Sequence, residues 1–124
     1  MKKYQIEFWQ DENGYSDTQE YIIELKEKAS KSKDARIKLN KIVEYIELLS
    51  AYGVEIGQPY VKHIKENNVQ LYELRPLRDR FFFFFKKENR YIILNHFIKK
   101  TQKTPKKEIE KAIKLIKDFN ERGL

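Results

Sequence analysis

VQLYELRPLRDRFFFFFKKENRYIILNHFI, residues 69–98, holds three apolar and aromatic runs separated by two short polar breaks. The runs Val69 to Arg75, Arg80 to Lys87 and Arg90 to Ile98 are rich in Tyr, Phe, Ile and Leu, the composition of strands. The breaks, Pro76 to Asp79 and roughly Glu88-Asn89, are too short for a crossover and imply antiparallel hairpins. Phe81 to Phe85 abandon alternation altogether. A strand covered on both faces reads in that way, so the run is assigned to the core rather than to a binding platform.

Upstream, Lys3 to Trp9 alternates polar and apolar residues, the period of a half-buried strand, and Asp11 to Gly14 makes a turn. Ser16 is a helix cap with Gln19 as its capping-box partner; the helix it opens turns Tyr21, Ile22 and Leu25 inward. Ala29 to Ser32 interrupts, and a second helix from about Lys33 to Ala51 places Leu39, Ile42, Val43, Ile46 and Leu49 at helical spacing. Gly53 and Gly57-Gln58-Pro59 end it and open a loop that carries His63. Downstream, Lys99 to Thr104 is a basic loop. Thr104-Pro105 reads as a cap and first helical position, and Ile109, Ala112, Ile113, Ile116 and Phe119 line one face of a last helix. The order β-α-α-β-β-β-α predicts one α+β domain over residues 1–124, with helices packed on one side of a mostly antiparallel sheet.

The chain is 40% hydrophobic and 36% charged and has no cysteine, which describes a soluble globular protein without disulfides or thiolate metal sites. Nothing resembles a signal peptide or a membrane span, so a cytoplasmic protein with no membrane partner is expected. The net charge of +7 is unevenly spread. Residues 60–107 carry 13 basic and 4 acidic side chains, whereas residues 1–59 carry 9 and 11. A continuous basic block favours a polyanion; a solvated surface would give the same count.

If Pro76 to Asp79 form the turn, Arg75 faces Arg80 and Glu73 faces Phe82, all four on one sheet face. Guanidinium groups clamp phosphate and aromatic faces stack unpaired bases, so the group suits RNA. Glu73 could act as a base or orient an arginine, and an ordinary cross-strand ion pair is the other reading. Around it Lys62, Lys65, Arg75, Arg78, Lys99 and Lys103 are the candidate RNA contacts. A lone histidine is the natural proton carrier among side chains, and His96 is the candidate here, but its face depends on register. A two-residue loop at Glu88-Asn89 turns it away from Arg80, and a loop one residue longer turns it towards Arg80. Paired Asp residues and HxxxH spacing are absent, so neither a metal nor a cofactor is expected. Cleavage would then proceed by attack of an RNA 2′-OH on its own phosphate.

Leu71-Tyr72-Glu73-Leu74-Arg75, the strand after Arg78, and His96-Phe97-Ile98-Lys99-Lys100-Thr101-Gln102-Lys103-Thr104-Pro105 together resemble HigB-like toxins of the RelE/ParE superfamily. The resemblance is strong after residue 60 and weak before it. It implies a toxin that cleaves messenger RNA, in many relatives on the ribosome, and a cognate antitoxin of helix-turn-helix type through which alone operator DNA is bound. By position Arg80 corresponds to the arginine on the scissile phosphate. Glu73 lies where relatives place charged site groups, and Lys99 and Lys100 where they place cationic catalytic groups. With His96, the catalytic candidates are Arg80, Glu73, Lys100 and His96. Many relatives carry a tyrosine where this chain has Phe81 to Phe85, which leaves Tyr91 or His96 as substitutes. The same superfamily includes binders of DNA gyrase, and a toxin that binds without cleaving is a third reading.

Overall fold

The computed structural model describes residues 2–66 and 68–124. Its elements are β1 (Gln5–Phe8), α1 (Asp17–Lys28), α2 (Lys33–Tyr52), a 3-10 turn (Gly53–Ile56), β2 (Val61–Glu66), β3 (Val69–Leu74), β4 (Asp79–Lys86), β5 (Arg90–Ile98) and α3 (Lys106–Glu121). The strands form one sheet in the order β1-β5-β4-β3-β2, antiparallel except where β1 lies parallel to β5. The α+β class and the element order are those expected from the sequence, with one strand more.

That strand, β2, occupies what reads as a loop. It runs along the sheet edge, and only Val61 and Ile64 are buried. Val61 joins the core under α2 and Ile64 the core under α3. One buried residue per face, three apart, never produces the two-residue period that marks a strand. His63 therefore sits on a strand and not in a loop, with its side chain exposed.

The helices do not share one side of the sheet. Leu25, Ile42 and Leu49 of α1 and α2 pack with Phe81, Phe83 and Ile93 on one face. Ile109, Ala112 and Phe119 of α3 pack with Phe82, Phe84 and Ile92 on the other. Both cores meet on β4, the central strand, which explains its phenylalanines. Phe81, Phe82 and Phe83 are fully buried and Phe84 nearly so, while Phe85 emerges at the strand end, 45% exposed. The reversal of side follows from the basic loop 99–105, which carries the chain past the sheet before α3 begins.

Local signals behave as their chemistry dictates at α1 and α2. The Ser16 and Ser32 hydroxyls accept from the Gln19 and Ala35 amides at 3.1 and 3.2 Å. Gly53, with φ +70°, ends α2 where a Cβ would meet the Tyr4 ring at 2.8 Å. At α3 the expected threonine cap is absent; Pro105 precedes the helix, and the Thr104 side chain is engaged elsewhere.

The β4–β5 hairpin settles the register. Lys86 pairs with Arg90 across three residues, Lys87 to Asn89. Glu88 and Asn89 there take left-handed φ values of 69° and 58°. Such a turn alone would bring His96 to the Arg80 face. Between Phe83↔Ile93 and Phe81↔His96, however, Leu94 and Asn95 oppose the single residue Phe82. This bulge flips the alternation. Phe97 therefore pairs with Arg80, and His96 lies on the α1/α2 face.

Candidate functional site

Glu73 pairs with Phe82 in the ladder, as the sequence implies, and Lys62 on β2 pairs with Glu73. Alternation then sets Lys62, Glu73, Arg75, Arg80 and Phe82 on the α3 face. α3 covers the upper part of this face, and the site lies below it, against the 99–105 loop.

At its centre Glu73 is 1% exposed. Its Oε1 lies 3.3 Å from Arg75 Nε and 3.9 Å from Arg80 Nε. Its Oε2 accepts from the Thr104 hydroxyl at 3.4 Å. The two arginine contacts are ionic rather than hydrogen-bonded, because the nearer is misaligned and the farther too long. Both Nε atoms are buried without a hydrogen-bond partner. Arg80 is anchored from behind, its Nη1 donating to the Leu77 and Asp79 carbonyls at 2.8 and 2.9 Å. Leu77 takes a φ of 56° in the turn that aims its carbonyl inward. The result is a fixed pair of cations over one carboxylate, carrying unspent donors.

The electrostatics show crowding of positive charge. Burial, then the neighbouring Arg75, lowers the pKa of Arg80 against the opposing pull of Glu73 and Asp79. At the rim, desolvation and the charges of Arg75, Arg80 and Lys62 hold Lys99 below an ordinary lysine, with Glu73 opposing. Arg78, Lys99, Lys100, Thr101 and Gln102 line a shallow depression beside it. The Lys99 amide donates to the Arg78 carbonyl at 2.8 Å, which ties the basic loop to the β3–β4 turn.

The structure thus brings together Glu73, Arg75, Arg80, Lys62 and Lys99, with Arg78 and Lys100 on the rim and Lys103 farther out on the exposed loop. It does not bring His96, Lys65 or Tyr91 to them. Lys65 follows Lys62 by three residues in unbroken register and faces the other way. The Tyr91 hydroxyl accepts from the Val54 amide at 3.2 Å inside the α2 core. His96 belongs to a separate cluster behind the sheet. Its Nε2 is 2.8 Å from Asp79 Oδ1, its ring stacks on Tyr21 at 4.0 Å, and the Tyr21 hydroxyl donates to the same oxygen at 2.7 Å. Lys38 Nζ stands 3.8 Å away. Burial alone would raise the Asp79 carboxyl, but the hydrogen bonds from His96 and Tyr21 and the Lys38 charge outweigh it and hold the group below its ordinary value. Neither His96 nor Tyr91 can stand in for a tyrosine on the Arg80 face.

Asp79, Tyr21 and Thr104 have roles that sequence reasoning misses. Asp79 looks like a turn residue and Tyr21 like core, and their meeting depends on a contact between α1 and the start of β4. Thr104 carries a signal, a threonine before proline, that points to a helix cap instead. Among the described residues, no group of three or more His, Cys, Asp or Glu is placed to hold a metal. No helix there is long and apolar enough to cross a membrane.

No curated protein matches the chain significantly. A family model described as "Phage derived protein Gp49-like" matches residues 31–117, well over half of the chain and every residue of the cationic cluster. That family is associated with RelE and other toxin-like proteins. From α2 to α3, through the whole of the site, this chain belongs to the phage-derived Gp49-like family.

Proposed function

We propose that the protein is the toxin of a type II toxin–antitoxin pair, a metal-independent endoribonuclease acting on messenger RNA. The observation that carries this reading is the pair of half-buried Arg75 and buried Arg80 held over Glu73, each with an Nε that no hydrogen bond occupies. Phosphate oxygens are the natural acceptors for such donors. In the reaction the RNA 2′-hydroxyl gives its proton to solvent water, its oxygen bonds to its own phosphorus, and the bond to the 5′-oxygen breaks. A 2′,3′-cyclic phosphate and a 5′-hydroxyl end result. Arg75 and Arg80 neutralise the extra charge on the pentacoordinate phosphorus. Glu73, enclosed by both arginines and Thr104, is the carboxylate that orients them rather than the base.

Proton transfer falls to Lys99, not to Lys100 or His96. Its depressed pKa and its place beside the arginines suit it to give a proton to the leaving 5′-oxygen. Lys62, Arg78, Lys100 and Lys103 hold neighbouring phosphates. The same basic surface suits an acidic segment of an antitoxin of helix-turn-helix type, and action on ribosome-bound messages agrees with the resemblance. A second reading, binding without cleavage, is favoured by one specific feature: among the described residues, no strand hydroxyl or imidazole shares the sheet face of Arg80.

Induced expression in a bacterial host, wild type beside Arg80→Ala, tests both. Growth arrest with RNA ending in 2′,3′-cyclic phosphate, lost in the variant, is the expected result. Arrest with intact RNA would remove the nuclease reading and direct attention to gyrase. Soluble, folded protein without arrest would leave only binding.

A further inference from the structure

Behind the sheet, an aromatic stack runs sideways out of the core. Phe83 on β4, Tyr72 on β3 and His63 on β2 are cross-strand neighbours. Their rings lie 5.6 and 4.8 Å apart, inclined by 23° and 25°, each pair stacked. The first ring is fully buried, the second half-buried and the third exposed. Because β2 is the edge strand, no further strand among the described residues continues the series. The stack therefore ends on an open ring.

The edge strand also joins the two faces of the sheet. Lys62 lies with Glu73 and Arg75 on the α3 face, and Lys65 lies with His63 on the other; both lysines are exposed. Positive charge thus passes over the edge rather than stopping at it. A polyanion that carries flat rings is the ligand this pattern fits: lysines for successive phosphates, a half-finished stack for a base. A buried acidic protein segment would answer the lysines but not the parallel rings.

We propose that His63 is a docking point for an unpaired nucleobase of single-stranded RNA that leaves the Arg75–Arg80 site and wraps over β2. The proposal rests on the RNA-binding reading above and extends it to the rear face. Tyr72 and Phe83 hold the imidazole plane in position, Lys62 guides the strand to the edge, and Lys65 receives it beyond. Base stacking tolerates any sequence, so the contact adds affinity and direction rather than codon choice.

The test uses a 2′-O-methyl RNA of about 8 nucleotides, within the usual span of single-strand sites and unable to cleave itself. 2-Aminopurine, which loses fluorescence on stacking, is placed at one position at a time. Wild-type protein is expected to quench one or two adjacent positions. His63→Ala should abolish that quenching and weaken binding about fivefold, the lower end for one base on one ring. His63→Tyr should restore both. Arg80→Ala should weaken binding yet keep the quenching at saturating protein. If the wild type and Arg80→Ala bind as expected but no position is quenched, or quenching survives His63→Ala, the base site is wrong and the RNA site stands. A protein partner that covers the ring in place of a base would give the same unquenched result and overturn the base site equally. If the wild type binds no RNA, both readings fall together.

Discussion

Replacing Glu73 by Gln keeps the shape of the site and removes the charge between its arginines. At an effective dielectric of about 20, unit charges at the observed 3.3 and 3.9 Å attract by about 5 and 4 kcal/mol. Desolvation of three groups and repulsion between the two cations offset most of this. Breaking a buried pair by removing one partner costs about 3–5 kcal/mol. The Arg75 side chain keeps 19% of its exposure and the site opens towards the basic loop, so the lower limit applies. Glu73→Gln should therefore lose about 3 kcal/mol and about 10 °C in Tm, read by urea and thermal unfolding. Inorganic phosphate should repair part of the loss by supplying the missing anion. At ten times its dissociation constant it adds about 1.4 kcal/mol, and it should bind the variant more tightly than the wild type. A variant with the wild-type urea midpoint, indifferent to phosphate, would refute the idea that one carboxylate holds two otherwise repelling guanidinium groups.

Three further outcomes are expected. Asp79→Asn should lose about 3 kcal/mol at pH 7, since the carboxylate it removes is fully buried among His96, Tyr21 and Lys38. The native Asp79 pKa is lowered, so the wild-type advantage is complete above the unfolded value of about 4 and fades as pH falls through the lower native one. Urea midpoints at both ends of that window that differ equally between the two proteins would contradict this. Lys99→Met should slow single-turnover cleavage by about 100-fold or more while Lys100→Met changes it by less than about threefold. Lys99→Arg should move the alkaline limb of the rate profile upward, because Lys99 titrates below an ordinary lysine. A larger loss at Lys100 would return the role to that residue, and equal losses would deny Lys99 a distinct one. Finally, RNA affinity should fall with salt, and Lys62→Ala should flatten the double-logarithmic slope by about 0.7 while Lys111→Ala on α3 leaves it alone. Identical slopes for all three proteins would argue against phosphate contacts along β2.

Much of this architecture is legible in the amino acids because local chemistry and tertiary fate agree. The serine caps of α1 and α2, the hairpin between β3 and β4 and the double-sided burial of the phenylalanines each follow from a few adjacent residues. The pairing Glu73↔Phe82 and the shared face of Arg75 and Arg80 follow from the turn length alone. The failures have one origin, which is dependence on distant partners. β2 is a strand because β3 offers it an edge, not because its own pattern alternates. α3 crosses to the far face because the loop before it passes the sheet, and helix periodicity carries no record of side. Thr104 forgoes the helix end for Glu73, a residue thirty-one positions earlier. His96 is lost to the site because β5 bulges at Leu94-Asn95 instead of keeping the register its turn sets, a choice invisible in composition and decisive in space.

That extra residue gives the β4–β5 hairpin two independent phases. Above Leu94-Asn95 the parity of inward and outward side chains is set by the turn at Lys87 to Asn89; below it, parity is reset. Deleting one of the two bulge residues would leave His96 opposite Phe81 and Phe97 opposite Arg80, whereas straightening the bulge at constant length would exchange the occupants of the two faces from Asn95 onward without altering a single amino-acid type. An imidazole would then stand beside Arg80, and Phe97 would leave the α3 core. In such a sheet, a slip of register by one residue moves an imidazole into or out of a phosphate site, a step that no series of point substitutions takes as directly.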